Sequence, residues 1–350
     1  MTTRNTPGLL ARLALAGAAL LVGCGSGGEG REQPGGEASP TVVRESAPEA
    51  AYSTEAWTFE DVPGVLLTSP HYRIYTTTTR TTLRERLPVF MEIALKQYTT
   101  ALGELPRPRG VMESYVLSSR PQWARMTQRL MGADAEVYLK IQRGGFAAEG
   151  KALLYEIGPH DTYAIAAHEG WHQFTQQTFK DPLPVWLEEG VACYMEGFRW
   201  DTGSAGRPSF LPWANFERFD ELRSAARGGR LMSLQQLVRS SPQQLMGQDP
   251  DLALTYYAQL WALVHFLNEW NAGEHREELQ RVLTEAATGK ISATLAAGHG
   301  ARAAAAYRAR RHAPQLFETY FGLTAEAADA DYQAFIKNIT RVGAKQQIAA

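Results

Sequence analysis

Cysteine is scarce in this chain. Of two in 350 residues, Cys24 and Cys193, only the second lies in the body of the chain, which excludes a metal site built on several thiolates. An excess of positive charge is also missing. Lys and Arg number 35 against 37 Asp and Glu, a formal net charge of −2, and no basic patch marks nucleic acid as a partner. No internal repeat is visible, and the apolar run from Leu13 to Gly23 is too short to cross a bilayer. What remains is ordinary for a globular protein, 44 % hydrophobic and 21 % charged. The length suits two domains or one catalytic unit with two lobes.

The amino terminus reads as a targeting segment. Arg4 and Arg12 make a charged start, Leu13 to Gly23 an apolar core, and Leu21-Val22-Gly23-Cys24 a small-residue cleavage site. L-V-G-C resembles the bacterial lipobox. That resemblance implies a signal peptide over residues 1–23 and a lipid anchor on Cys24, hence a place in the cell envelope outside the cytoplasm. Gly25 rather than aspartate follows the cysteine, which points to the outer membrane, facing the periplasm, in a cell with two membranes. Loss of Arg4 and Arg12 with the signal takes the net charge from −2 to −4. Residues 24–55 are expected to be a disordered tether; the stretch from Gly25 to Ala51 is rich in Gly, Pro, Glu and Ser. A flexible coil of that length spans roughly 30 Å.

The central motif is His168-Glu169-Gly170-Trp171-His172, an HExxH sequence. On a helix, positions i and i+4 share a face one turn apart, so both imidazoles can reach one metal ion. Glu169, next to the first histidine, can approach a water on that metal without being a ligand, as a general base must. Ala164 to Ala167 before the motif and Phe174 and Phe179 after it predict a helix with little polar surface, hence a buried one, with Asp161 as its N-cap. Two histidines in a buried helix need partners.

The segment Pro184-Val185-Trp186-Leu187-Glu188-Glu189-Gly190-Val191-Ala192 offers a third ligand, with 16 residues between His172 and Glu189. That spacer can finish the first helix, turn at Asp181-Pro182-Leu183-Pro184 and start a second helix against it. Three protein ligands with a fourth position left to water describe a catalytic zinc. These residues resemble the gluzincins, and more closely the peptidase-MA-like bacterial proteins that pair HExxH with W-L-x-E-G-x-A. The resemblance implies one zinc per chain on His168, His172 and Glu189, with Glu188 an exposed neighbour. The aminopeptidase motif that holds a free amino terminus is not clearly present, Glu149 being a weak stand-in.

Glu196 lies two helical turns after Glu189, on the same face, and can orient a ligand histidine from behind, or remain a solvated helix carboxylate. Cys193, between them, reads as a small buried apolar residue. Further on, Tyr257 to Leu267 matches the gluzincin element whose opening tyrosine stabilises the oxyanion; a core tyrosine is the alternative, and Tyr256 the competitor one position back. His265 on that helix reads as packing, and His71, His160, His275, His299 and His312 have no ligand spacing. In zincins the edge strand beside the cleft takes the substrate backbone by strand addition. The strand Lys151 to Ile157, after a turn at Gly144-Gly145-Phe146, holds the matching position.

Strands are expected at Tyr72–Tyr75 and Val111–Leu117, and helices at Thr81–Leu102 and Pro121–Met131. After Gly190 helices alone follow, at Leu231–Val238, Thr255–Trp270, Arg276–Ala287, Ala301–Tyr320 and Ala325–Ile339. This order predicts an α+β, zincin-like domain over residues 56–345. Its mixed strand and helix lobe, about 56–180, precedes an all-helical lobe, about 181–345, with the metal between them. The expected function is a membrane-tethered zinc peptidase acting on a peptide or protein substrate. Its rivals are a catalytically idle zinc protein that binds envelope partners, against which the presence of Glu169 argues, and a metal-free lipoprotein, which leaves HExxH unexplained.

Overall fold

The chain is α+β: a six-stranded mixed sheet precedes a run of helices. The computed structural model describes residues 51–201, 206–311 and 314–341. Cys24, the signal segment and nearly all of the expected tether lie outside them.

Strands β1 (Ser53–Phe59), β2 (Val62–Thr68) and β3 (Tyr72–Thr76) form an antiparallel meander. β1 begins inside the span assigned to the tether. Helix α1 (Thr81–Thr100) then crosses over, so that β4 (Met112–Leu117) runs parallel to β3. Helices α2 (Arg120–Met131) and α3 (Ala135–Leu139) lead to the hairpin of β5 (Gly145–Ala148) and β6 (Lys151–Tyr155). Glu149 and Gly150, at φ 53° and 74°, make its two-residue turn. β6 inserts between β4 and β5, giving the order β1-β2-β3-β4-β6-β5. The strand at Lys151 is therefore interior, and the edge strand is β5, in the stretch expected to be a turn. Glu149 is exposed at the hairpin tip.

One sheet face packs on α1 and on α4 (Pro159–Thr178); the other, around Phe146 and Leu153, packs on Trp123 and Met126 of α2 and Tyr138 of α3. α4 is buried without interruption from Thr162 to Thr175, as its small and apolar residues predict. Gly158 takes the N-cap position. Asp161 lies in the first turn instead, where Oδ2 accepts from Arg143 Nη2 at 2.5 Å.

α5 (Val185–Met195) turns back on α4 and leads to a short hairpin, β7 (Phe198–Trp200) and β8 (Pro208–Phe210), so helices alone do not follow Gly190 as expected. The rest is helical: α6 (Phe216–Arg227), α7 (Leu234–Arg239), α8 (Pro242–Met246), α9 (Pro250–Glu269), α10 (Arg276–Thr288), α11 (Ile291–Arg310), α12 (Pro314–Phe321) and α13 (Ala325–Ile339). The single helix expected over Ala301–Tyr320 is two. Arg311 leaves α11 in the left-handed region, φ 52° and ψ 20°, and Pro314 opens the next helix. α5 lies close on α9 because residue 190 is glycine: a Cβ there would meet Leu260 O and Val264 Cγ2, each at 3.0 Å. The main core runs from Leu67 on β2 to Ile339 on α13, so sheet and helices share one interior. Among the described residues no helix is long and apolar enough to cross a membrane.

Candidate metal centre

α4, α5 and α9 converge on a polar cluster inside this apolar interior. His168, Glu169 and His172 come from the middle of α4, Glu189 from α5 and Tyr257 from α9, all of them buried. Glu189 Oε2 lies 3.5 Å from His168 Nε2 and 3.5 Å from His172 Nε2. None of these three atoms has a hydrogen-bond partner, nor do the two carboxylate oxygens of Glu169 or the hydroxyl of Tyr257. Leaving a buried polar atom unpaired costs about 1–3 kcal/mol, so a convergent group of them calls for a common partner. The donor set fits a metal ion. Ligands about 2.0–2.1 Å from a tetrahedral zinc lie roughly 3.3–3.4 Å apart, close to the 3.5 Å found here. The three atoms lie within 4.8 Å of one another, so His168, His172 and Glu189 can together hold a metal ion.

The far side of each imidazole is fixed by a carboxylate. His168 Nδ1 donates to Glu196 Oε1 at 2.8 Å and His172 Nδ1 to Glu188 Oε1 at 2.9 Å. A carboxylate only accepts, so Nδ1 carries a proton, and Nε2 can present a lone pair to the centre once any proton of its own is displaced. Glu196 is itself held by Arg218, whose Nε and Nη2 reach its two oxygens at 3.0 and 2.8 Å, and by Asn215 Nδ2 at 2.7 Å.

Glu188 departs from expectation. Far from being an exposed neighbour, it is 5 % exposed, and its Oε1 also accepts from Thr175 Oγ1 at 2.7 Å. A helix against two neighbours has no solvent face at this point, and the 100° between adjacent positions lets both glutamates address His172. Cys193, His168 and Glu196 also lie within ligand reach of one another. Glu196 is already saturated by Arg218 and Asn215, however, and burial pushes the Cys193 thiol up, so this group backs the centre.

Electrostatics sort the carboxyls. Burial raises the pKa of Glu169, His168 and His172 offset this only in part, and Glu189 and Glu196 add to the rise, leaving it at about 7. Burial works the same way on Glu189, but the two histidines hold it well below the usual carboxylate range. Glu196 is drawn down to about 2, because Arg218 and His168 outweigh its burial. Burial disfavours the imidazolium of His172, yet Glu189 and Glu188 lift it to about 9; Cys193, Glu189 and Glu196 likewise hold His168 well above its ordinary value. Two neighbouring carboxyls of opposite disposition, one poised near neutrality and one firmly ionised, suit a base beside a ligand.

Tyr257 lies two turns into α9, its ring centroid 6.4 Å from that of His168 and the Arg218 guanidinium 5.2 Å over its face. Tyr256 turns away and donates to Ser240 O at 3.0 Å. The sheet approaches from the other side: a Cβ on Gly145 of β5 would lie 3.2 Å from Glu169 Cγ. His265 is a packing residue, stacked at 3.7 Å on Trp213 and bonded to Glu269.

A family described as "Protein of unknown function (DUF1570)" matches residues 162–291, less than half of the chain but including every residue that converges on the centre. No curated protein matches the chain. Reading the sequence alone misses Glu188, Asn215 and Arg218. For Glu188 a signal existed in the paired glutamates; Arg218 reaches Glu196 across 22 residues, and no local pattern announces it.

Proposed function

We propose that this protein is a zinc-dependent peptidase of the gluzincin type, tethered by lipid at Cys24 to a membrane and acting outside the cytoplasm. The observation that carries the reading is the grouping of three buried, unpaired atoms, His168 Nε2, His172 Nε2 and Glu189 Oε2, within ligand reach of one another, with the unpaired carboxylate of Glu169 next in the chain and the Tyr257 ring 6.4 Å from that of His168. Zinc held there would act as a Lewis acid, activating water and polarising a peptide carbonyl. Glu169, buried beside the two histidines with both carboxylate oxygens unpaired, would accept the proton of the attacking water and pass it to the departing amine. Tyr257 donates its free hydroxyl to the oxyanion. Glu196 and Glu188 keep the two imidazoles in the tautomer that a metal needs. An idle structural site has no use for an unpaired carboxylate such as Glu169, which must be desolvated at a cost.

The test is metal analysis of the purified protein beside hydrolysis of a diverse peptide library. One zinc per chain is expected, lost in His168→Ala and in His172→Ala, together with cleavage that a chelator abolishes. Full zinc occupancy in the double histidine variant contradicts the assignment, and zinc without cleavage leaves only the binding role. For the anchor, Cys24→Ala is expected to leave the membrane fraction; its retention there places the anchor elsewhere.

A further inference from the structure

Arg311 ends α11 with its backbone in the left-handed region, φ 52° and ψ 20°. Glycine would adopt that conformation without strain, so the arginine side chain needs a reason to be there. It folds back over the loop between α4 and α5. Its Nε donates to Leu183 O at 3.0 Å, and its Nη2 lies 3.7 Å from Glu188 Oε2, with 18 % of the side chain exposed. One turn earlier the Tyr307 hydroxyl donates to Pro182 O. At the start of the loop, Asp181 N donates to Ala286 O at 3.0 Å and Asp181 Oδ2 accepts from Ser292 N at 3.3 Å. Residues of α10 and α11 thus hold the whole connection that sets α5 against α4.

The other oxygen of Glu188 is the one that takes His172 Nδ1. A buried carboxylate needs a cation, because removing an ionised group from water is costly unless it is paired. Among the described residues the ion pairs of Glu188 are with His172 and Arg311. His172 Nδ1 takes one oxygen of Glu188 and Arg311 Nη2 faces the other, so the arginine lies behind the carboxylate that orients the ring.

We propose that Arg311 is a positioning residue of the metal centre, acting through Glu188 on His172. This rests on the reading of His168, His172 and Glu189 as metal ligands. Arg311 lies beyond the matched residues 162–291, so the carboxylate behind one ligand is neutralised from the carboxyl-terminal part of the chain.

The test measures zinc dissociation constants of the whole protein by chelator competition, with thermal unfolding of the metal-free form alongside. Arg311→Gly relieves the backbone and removes the charge. It is expected to bind zinc about 10- to 100-fold more weakly, as loss of an outer-layer partner does, while still unfolding cooperatively. Arg311→Lys should recover most of the affinity. In a Glu188→Gln background, which needs no compensating cation, Arg311→Gly should change the zinc constant by no more than about twofold, the scatter of independent sites. Arg311→Met, which keeps the aliphatic stem, should show the same dependence on Glu188 and serves if the glycine variant does not fold. Unchanged zinc affinity in these variants, or an equal loss in both backgrounds, overturns the proposal. Absence of zinc from the wild type overturns the reading of the centre instead.

Discussion

Glu188 and Glu189, adjacent in the chain, grip the same imidazole from opposite sides. Glu188 Oε1 takes Nδ1 of His172 at 2.9 Å, and Glu189 Oε2 faces Nε2 of that ring at 3.5 Å. One glutamate is placed to share a metal with the histidine and the other to orient it.

The two should therefore differ in degree and not in kind. Glu189→Ala removes a ligand and should abolish tight zinc binding. Glu188→Ala should weaken it about 10- to 100-fold, and lower stability by leaving the buried His172 Nδ1 without its acceptor. Chelator competition checks both. A silent Glu188→Ala contradicts the arrangement.

Arg218 and Glu196 form a buried ion pair, each about 2 % exposed at the side chain. Arg218→Met should destabilise the protein by about 3–5 kcal/mol, since it strands a buried charge, and adding Glu196→Gln should restore part of that. The pH dependence has a definite sign. The Glu196 pKa is about 2 in the fold against an ordinary 4.5, so its contribution is complete above about 4.5 and lost as pH falls toward 2. Denaturant melts from pH 2 to 6 should show that dependence in the wild type and a weaker one in Arg218→Met, where His168 alone still lowers Glu196.

Zinc uptake should release protons. His172 titrates at about 9 in the metal-free fold, and His168 is also raised, so both carry a proton at neutral pH that a metal must displace. Apparent affinity should rise with pH through neutrality toward about 9. Calorimetry at pH 7 in two buffers of different ionisation enthalpy reads the release directly. Equal heats in the two buffers contradict it.

Tyr257 and Tyr256 separate cleanly. Tyr257→Phe loses no hydrogen bond, because the hydroxyl has none. Folding and zinc content should hold while turnover falls roughly a hundredfold. Tyr256→Phe gives up the bond to Ser240 O and should cost about 1 kcal/mol of stability with little change in turnover. Kinetics and melts on the pair decide it; unchanged turnover in Tyr257→Phe removes the tyrosine from the mechanism.

The parts of this centre that sequence made legible are those set by one helix. The i, i+4 histidines and their apolar surroundings announce a buried motif, and α4 is buried from Thr162 to Thr175. Contacts between elements are a different matter. Gly144-Gly145 reads as a turn, yet Gly145 belongs to an edge strand, bare of a side chain where Glu169 Cγ approaches. The β1–β2 hairpin is obscured by Pro63 and Gly64 inside β2. The alanine-rich run after Gly300 hides the helix end at Arg311, although Pro314 three residues on is a stop signal in the sequence. Burial of Glu188 depends on the elements packed over α5, which its own segment does not encode.

If Glu169 is the catalytic base of a zinc centre, Glu169→Gln separates metal binding from chemistry, with bound zinc and peptide hydrolysis measured on the same preparation. One zinc per chain, an unchanged fold and hydrolysis reduced to background are expected, because only the proton acceptor is removed. A zinc-loaded Glu169→Gln protein that cleaves peptides at the wild-type rate would contradict that role.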